Sequence, residues 1–155
     1  MSVLLRPMTA EEYSAYHDHS IRGFAEQLVG LGGQRDAEAA RQESERQMLM
    51  LLPDGLATAG QHLLVAESEG VAVGVVWVGP RQDRDDLWWV WDLEIDEAYR
   101  GQGLGRAAML AAEAYVRDHG VERLGLNVFG GNAAAIALYD DLGYAVDAQQ
   151  MSKQL

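Results

Sequence analysis

Residues 88–105, WWVWDLEIDEAYRGQGLG, run from an apolar, tryptophan-rich segment through a short polar stretch into closely spaced glycines. The order predicts a strand, a turn and the start of a helix. Glycines at such a junction let a ligand approach the backbone closely. The unpaired N–H groups of the helix start then favour negative charge. Arg100 and Arg106 add cationic donors at the two ends of the turn. The first expectation is therefore an anion site for a phosphate-bearing ligand.

Outward from this stretch the chain is predicted to alternate in an α+β (mixed α/β) pattern. A first strand covers 2–7. Thr9, with Glu12 three residues on, forms a capping box for a helix over 10–29, which presents Tyr13, Tyr16, Ile21, Phe24 and Leu28. Leu31-Gly32-Gly33 stops it, and a second helix follows over 35–52. Strands at 62–68 and 71–79 meet in a tight hairpin at Glu69-Gly70. A polar loop, 80–86, leads to the strand over 87–96. A third helix, 103–119, is closed by His119-Gly120. A strand over 123–128 is followed by a fourth helix, 133–142, capped by Asn132. The last segment, 144–155, reads as one or two further strands. The expected order is β-α-α-β-β-β-α-β-α-β, in a mixed, mostly antiparallel sheet of six to seven strands flanked by four helices. The crossover helix makes the strands on either side of it a parallel pair. Nothing divides the 155 residues, so a single domain, 1–155, is expected.

Composition narrows the function. The chain has no cysteine, which excludes disulfides, thiolate metal sites and a cysteine nucleophile. The formal net charge of −12 argues against extended nucleic-acid binding. No apolar run is long enough for a membrane span, and the N-terminus lacks signal-peptide character. A cytoplasmic location follows as the default. Seven acids against one base lie between Asp83 and Glu97, so the negative charge is concentrated beside the candidate site. The four histidines show no metal-like grouping, and no metal is expected.

The glycine turn lacks the Lys-Ser or Lys-Thr of a P-loop. Gly101-x-Gly103-x-Gly105 misses the third glycine of a dinucleotide fingerprint and sits behind a hairpin, not in an opening βαβ unit. What remains is Arg100-x-x-Gly103-x-Gly105, preceded by Tyr99. This resembles the Q/R-x-x-G-x-G/A acetyl-CoA loop of the GNAT superfamily of N-acetyltransferases. A second motif follows: Asn127, Asn132, Ala135, Leu138, Tyr139, Gly143 and Tyr144 fall in register with that family's N-x-x-x-x-N-x-x-A-x-x-L-Y-x-x-x-G-F/Y pattern. The two motifs span about 87–145.

The resemblance implies a GNAT fold and acetyl-CoA as donor. The pantetheine arm would lie along the strand at Leu93 and Ile95. Its pyrophosphate would sit on Gly101, Gln102, Gly103, Leu104, Gly105 and Arg106, beside Arg100. Asn127, Asn132 and Ala135 would contribute on the pantetheine side; for Asn127 a turn-stabilising amide is the competing role. Tyr139 matches the tyrosine near the CoA sulfur and would act as general acid; the alternative is a core tyrosine. Family members are often dimers, with the C-terminal strand region as a candidate interface.

Acetyl transfer to an amine needs proton removal from the amine, polarisation of the thioester and stabilisation of the thiolate. No enzyme nucleophile is required, so direct transfer is expected. Asp92 and Glu94 share one face of a regular strand. Among tryptophans such carboxylates serve as general base or hold a cationic substrate, with Glu94 preferred as base unless a bulge changes the facing. The acceptor is expected to be a primary amine, on a small cation or on a peptide or protein. The rival readings are a non-catalytic acyl-CoA-binding regulatory module and a donor longer than acetyl.

Overall fold

The computed structural model describes residues 2–30, 36–81 and 84–155. The expected helix stop at Leu31-Gly32-Gly33 and the loop residues Gln82 and Asp83 lie outside the described residues. The chain divides into two compact units, Met1–Gly125 and Leu126–Leu155.

The first unit carries β1 (Leu4–Pro7), α1 (Ala10–Gly30), α2 (Ala37–Leu51), β2 (His62–Ser68), β3 (Val71–Arg81), β4 (Arg84–Ile95) and α3 (Leu104–Asp118). β5 (Leu124–Leu126) crosses into the second unit, which also holds α4 (Ala133–Asp141). The sheet is mixed, in the order β1-β2-β3-β4-β5. The pairings among β1 to β4 are antiparallel, and β5 joins through the α3 crossover.

Two expectations are corrected. The sheet has five strands among the described residues, not six to seven, because 145–155 forms no strand. That segment is exposed throughout and has no apolar alternation long enough to pay for pairing. The polar loop at 80–86 is also shorter than expected. β3 runs on to Arg81 and β4 begins at Arg84. Arg84 spans to Asp86 at 2.6 Å, and the Arg81 guanidinium lies 4.6 Å from the Trp89 ring centre, so polar residues there are held as a ribbon.

Local chemistry explains where elements begin. The Thr9 hydroxyl accepts from the Glu12 N–H at 3.2 Å, and Glu12 accepts from the Thr9 N–H at 2.9 Å, completing the capping box of α1. Arg6 on β1 grips the same Glu12 at 2.7 Å and Glu67 on β2 at 2.7 Å, tying helix start to sheet. Asp36 caps α2 by accepting from the Glu38 N–H. Glu69 and Gly70, with φ of 51° and 79°, make the two-residue β2–β3 turn.

The sheet buries both faces. On one, Leu63, Val65 and Trp77 pack with Met8, Tyr16 of α1 and Leu52 after α2, and Trp91 packs against this cluster. On the other, α3 contacts β1, β3 and β4, burying Leu104, Ala108, Met109, Ala112 and Val116.

Candidate active site

β4 contains one extra residue relative to β3. Val78 pairs with Val90 and Trp77 with Asp92, so Trp91 has no opposite partner and forms a β-bulge. Side chains alternate along a strand, so the inserted residue reverses the facing of everything after it. Before the bulge, even-numbered Trp88 faces the α3 side. It stacks on His62 at 4.9 Å between ring centres and lies 5.3 Å from His119. After the bulge, even-numbered Asp92 and Glu94 face α1. Tyr16 donates its hydroxyl to Asp92 Oδ2 at 2.8 Å, and His19 Nε2 lies 2.9 Å from Glu94 Oε2. An uninterrupted β4 would have pointed both acids at α3.

The bulge reverses the backbone groups too. The Trp88 N–H donates outward to the Arg123 carbonyl at 3.0 Å, and the Asp96 N–H donates inward to Val73 at 2.9 Å. Residues with the alternation of Asp96 therefore spend their backbone groups on β3, and Leu93 and Ile95 direct theirs to the opposite edge. β5 is three residues long against twelve for β4, so it covers only part of that edge. The outward facing of Ile95 is visible in its carbonyl, which accepts from Arg100 Nε at 2.9 Å.

Gly74 on β3 makes this end of the pairing possible. A Cβ at Gly74 would collide with the Glu94 carbonyl oxygen. Only glycine permits the approach.

Asp92 is half-buried. Removal of its carboxylate from water pushes its pKa up, and the charge of Glu94 adds to this against the opposing bond from Tyr16. Burial likewise holds the Tyr16 phenol well above its ordinary value, and the Asp92 charge reinforces it. Glu94 is more open. Its second oxygen lies 3.4 Å from Arg100 Nη2. The indole Nε1 of Trp91 is buried with no protein hydrogen-bond partner among the described residues. Such a donor costs about 1–3 kcal/mol unless something accepts from it.

After Ile95 a single 3₁₀ turn, Glu97–Tyr99, leads to Arg100. Gly101 and Gly103 have φ of 75° and 79°, the left-handed region where a side chain would strain the backbone. Gly103 is the N-cap of α3 and supplies no side-chain cap. Gly101, Gln102, Gly103 and Arg106 are exposed, Gly105 is half-buried and Leu104 is buried as the anchor of the helix. The start of α3 thus presents backbone donors with open space around both left-handed glycines. Arg100 is turned back toward β4, to Ile95 and Glu94, instead of reaching along the helix start.

The second unit holds Asn127, Asn132, Ala135 and Tyr139. Asn132 Oδ1 caps α4 by accepting from the Ala135 N–H at 3.2 Å, so its amide nitrogen is the group left to offer a ligand. Tyr139 is half-buried and packs edge-on to Tyr144 at 5.9 Å. Gly143, with φ of 91°, ends the helix.

The chain's pattern offers Tyr16 and His19 as residues near an acceptor site, but does not pair them with Asp92 and Glu94. Tyr16 reads as one apolar-face aromatic and His19 as one of four scattered histidines. Their spacing of three places them on one helix face, but nothing local tells which strand that face crosses. A cleft of about 620 Å³ lies between α1 and α2, walled by charged residues such as Asp18, Arg22 and Arg41 and by apolar Ile21, Leu49 and Leu52.

Among the described residues no helix is long and apolar enough to cross a membrane. No group of three or more His, Cys, Asp or Glu residues is arranged to hold a metal.

The sequence profile of the Acetyltransferase (GNAT) family matches residues 15–144. The chain is 30% identical to the uncharacterised N-acetyltransferase YdgE of Bacillus subtilis, over 100% of this chain and 99% of YdgE. It is 32% identical to the uncharacterised N-acetyltransferase YycN of the same organism, over the full length of both. The crystal structure of YycN superposes with a TM-score of 0.92, covering 99% of each chain. The PaiA N-acetyltransferase of Thermoplasma acidophilum, solved in complex with coenzyme A, has the same fold at a TM-score of 0.69 and 16% identity, over 97% of this chain and 94% of that one. The chain belongs to the GNAT family of acetyltransferases.

Proposed function

We propose that this acetyltransferase moves the acetyl group of acetyl-CoA directly to the primary amine of a small cationic molecule. The bulge at Trp91 is the observation that carries the reading. It gives one strand two duties, with backbone groups of Leu93 and Ile95 on its outer edge and the carboxylates of Asp92 and Glu94 on its α1 face.

Acetyl-CoA, when bound, supplies the activated thioester. The chain's own residues fit it. Leu93 and Ile95 offer strand-like amide partners to the pantetheine arm. The N–H groups of Gly101 through Arg106, including Gln102, Gly103, Leu104 and Gly105, suit a pyrophosphate at an uncapped helix start. Arg100 and Arg106 add charge nearby. By the motif register, Asn127, Asn132 and Ala135 belong to the pantetheine side, and Tyr139 protonates the departing thiolate. The profile match runs from the first unit into the second, which supports treating 1–155 as one acetyltransferase domain.

Glu94 is the base in this reading. It is the more open acid, while Asp92 is engaged by buried Tyr16 and its charged form is disfavoured. Asp92 contributes negative potential that draws an ammonium group in. The net charge of −12 favours a small polycation over an anionic acceptor. A peptide or protein amine is the second acceptor class.

Thiol release from acetyl-CoA over spermidine, kanamycin, L-lysine and a short peptide with a free N-terminus tests the proposal. Turnover should be fastest with spermidine or kanamycin. A preference for the peptide would overturn the small-cation assignment. Tight acetyl-CoA binding with no release for any amine would overturn the transfer reaction and favour a binding module.

A further inference from the structure

α1 grips the two acids of β4 with side chains one helical turn apart. Tyr16 reaches Asp92 at 2.8 Å and His19 reaches Glu94 at 2.9 Å. Residues three apart share a helix face and residues two apart share a strand face, so the two contacts form together. Their chemistry differs. Tyr16 is buried and donates, and its phenol holds its proton. His19 is open, with 55% of its side chain exposed, and an imidazole can both take and give a proton near neutrality. The groups placed near it are Glu94, at 2.9 Å, and Asp92 on β4, with Arg100 on the other Glu94 oxygen.

We propose that His19 is a proton-relay residue that acts through Glu94, carrying to solvent the proton the acceptor ammonium must lose. This rests on Glu94 being the base. The ammonium N–H bond breaks and its proton passes to the Glu94 carboxylate, leaving the neutral amine with its lone pair. With the ring in the tautomer that carries its hydrogen on Nδ1, the protonated carboxyl gives that proton to the Nε2 lone pair. The resulting imidazolium releases its Nδ1 proton to water, and exchange with water returns the ring hydrogen from Nε2 to Nδ1 before the next turnover. Glu94 returns to its ionised form with no change in oxidation state anywhere. Arg100, on the other Glu94 oxygen, holds the carboxylate toward the ring. A base with an exit of this kind need not wait for bulk water to enter a site closed by substrate.

His19→Gln, His19→Ala and Glu94→Gln, assayed with the amine of the four-member panel that turns over fastest, test the relay. His19→Gln should lower kcat by roughly tenfold, less than the hundredfold or more of a direct general acid or base. KM for acetyl-CoA should not move, and the rate should become dependent on buffer-base concentration. Imidazole added to His19→Ala should restore turnover. Histidine NMR provides a readout independent of turnover: the His19 ring resonances should move in Glu94→Gln, because the group 2.9 Å from Nε2 changes from a carboxylate to an amide. Wild-type kcat and buffer independence in His19→Gln would overturn the relay, as would a loss that imidazole does not restore. Unmoved His19 ring resonances in Glu94→Gln would overturn it too. Full turnover in Glu94→Gln would overturn the assignment of the base itself. Silence of all four amines would remove the proposed transfer, and the relay with it.

Discussion

The hydroxyl of Tyr16 lies 2.8 Å from Asp92 Oδ2, joining the middle of α1 to the strand that carries the candidate site. The bond holds the carboxylate in place but does not offset its removal from water, so the Asp92 pKa stands above its ordinary value. The folded state then binds a proton more readily than the unfolded state. Stability on account of this group is greatest at low pH and falls as pH rises through the unfolded value of about 4 toward the folded one. Asp92→Asn keeps the shape and still accepts from Tyr16. It should raise Tm at pH 7, by roughly 2–4 °C per kcal/mol recovered. The gain should fade below about pH 4, where the wild-type carboxyl is itself protonated. Calorimetry at the two pH values checks both halves.

Gly74→Ala should damage function from a position that bears no chemistry. The new Cβ meets the Glu94 carbonyl oxygen, which is backbone and cannot rotate away. The end of β4 must shift, carrying Leu93, Glu94 and Ile95. Overpacking of this sort costs about 1–3 kcal/mol. Both a raised KM for acetyl-CoA and a lowered kcat are expected, because backbone edge and acid move together. Unaltered kinetics in a stably folded variant would refute this coupling.

Tyr139→Phe should lower kcat about a hundredfold, as expected for losing a general acid, with little change in acetyl-CoA affinity. The ring contact to Tyr144 survives the substitution. Titration calorimetry with acetyl-CoA and steady-state kinetics separate the two effects. Equal losses in affinity and turnover would argue for a packing role.

Arg6→Met should soften the acid side of the stability curve. The Arg6 fork and the capping-box bond to Thr9 hold Glu12 down to about 2 from 4.5. Its folded pKa is depressed, so its contribution is present above about pH 4.5 and is lost as pH falls toward 2. Arg6 and Glu12 are each about a third exposed, and solvent screening keeps the effect modest. Removal of the guanidinium should lower Tm at pH 7 and shrink the further drop between pH 5 and 2. An equal drop in wild type and variant would show that Glu12 is not a contributor.

Most of the architecture was legible from local pattern. Thr9 and Glu12, Asn132 and the Glu69-Gly70 turn each announce an element boundary through chemistry confined to a few residues, and each stands where it was expected. The glycine spacing at 101, 103 and 105 identified the α3 start for the same reason. What was not legible depends on pairing between distant segments. Nothing in WWVWDLEI reveals that Trp91 lacks a partner, since that depends on where β3 lies. Regular alternation correctly kept Asp92 and Glu94 on a common face, but only the register against β3 shows that this face is turned to α1. Tyr16 and His19 were invisible as a pair because helix spacing does not name the strand crossed. The final segment failed in the opposite way. Tyr144 to Leu155 suggests extension by composition, yet it forms no strand.

The Trp91 bulge imposes a counting rule on β4. A strand has two settings, and one added residue switches between them. The first half of β4 is set for α3 and the second for α1, with the switch built into the chain. Removal of one residue at the bulge would return the second half to the first setting, sending Asp92 and Glu94 into the packing under α3 and turning the Leu93 and Ile95 backbone groups inward. Removal of two residues would shorten the strand but leave the setting intact. Within β4, a change of one residue switches the facing of everything beyond it and a change of two does not, so the parity of a single strand decides where the acids point.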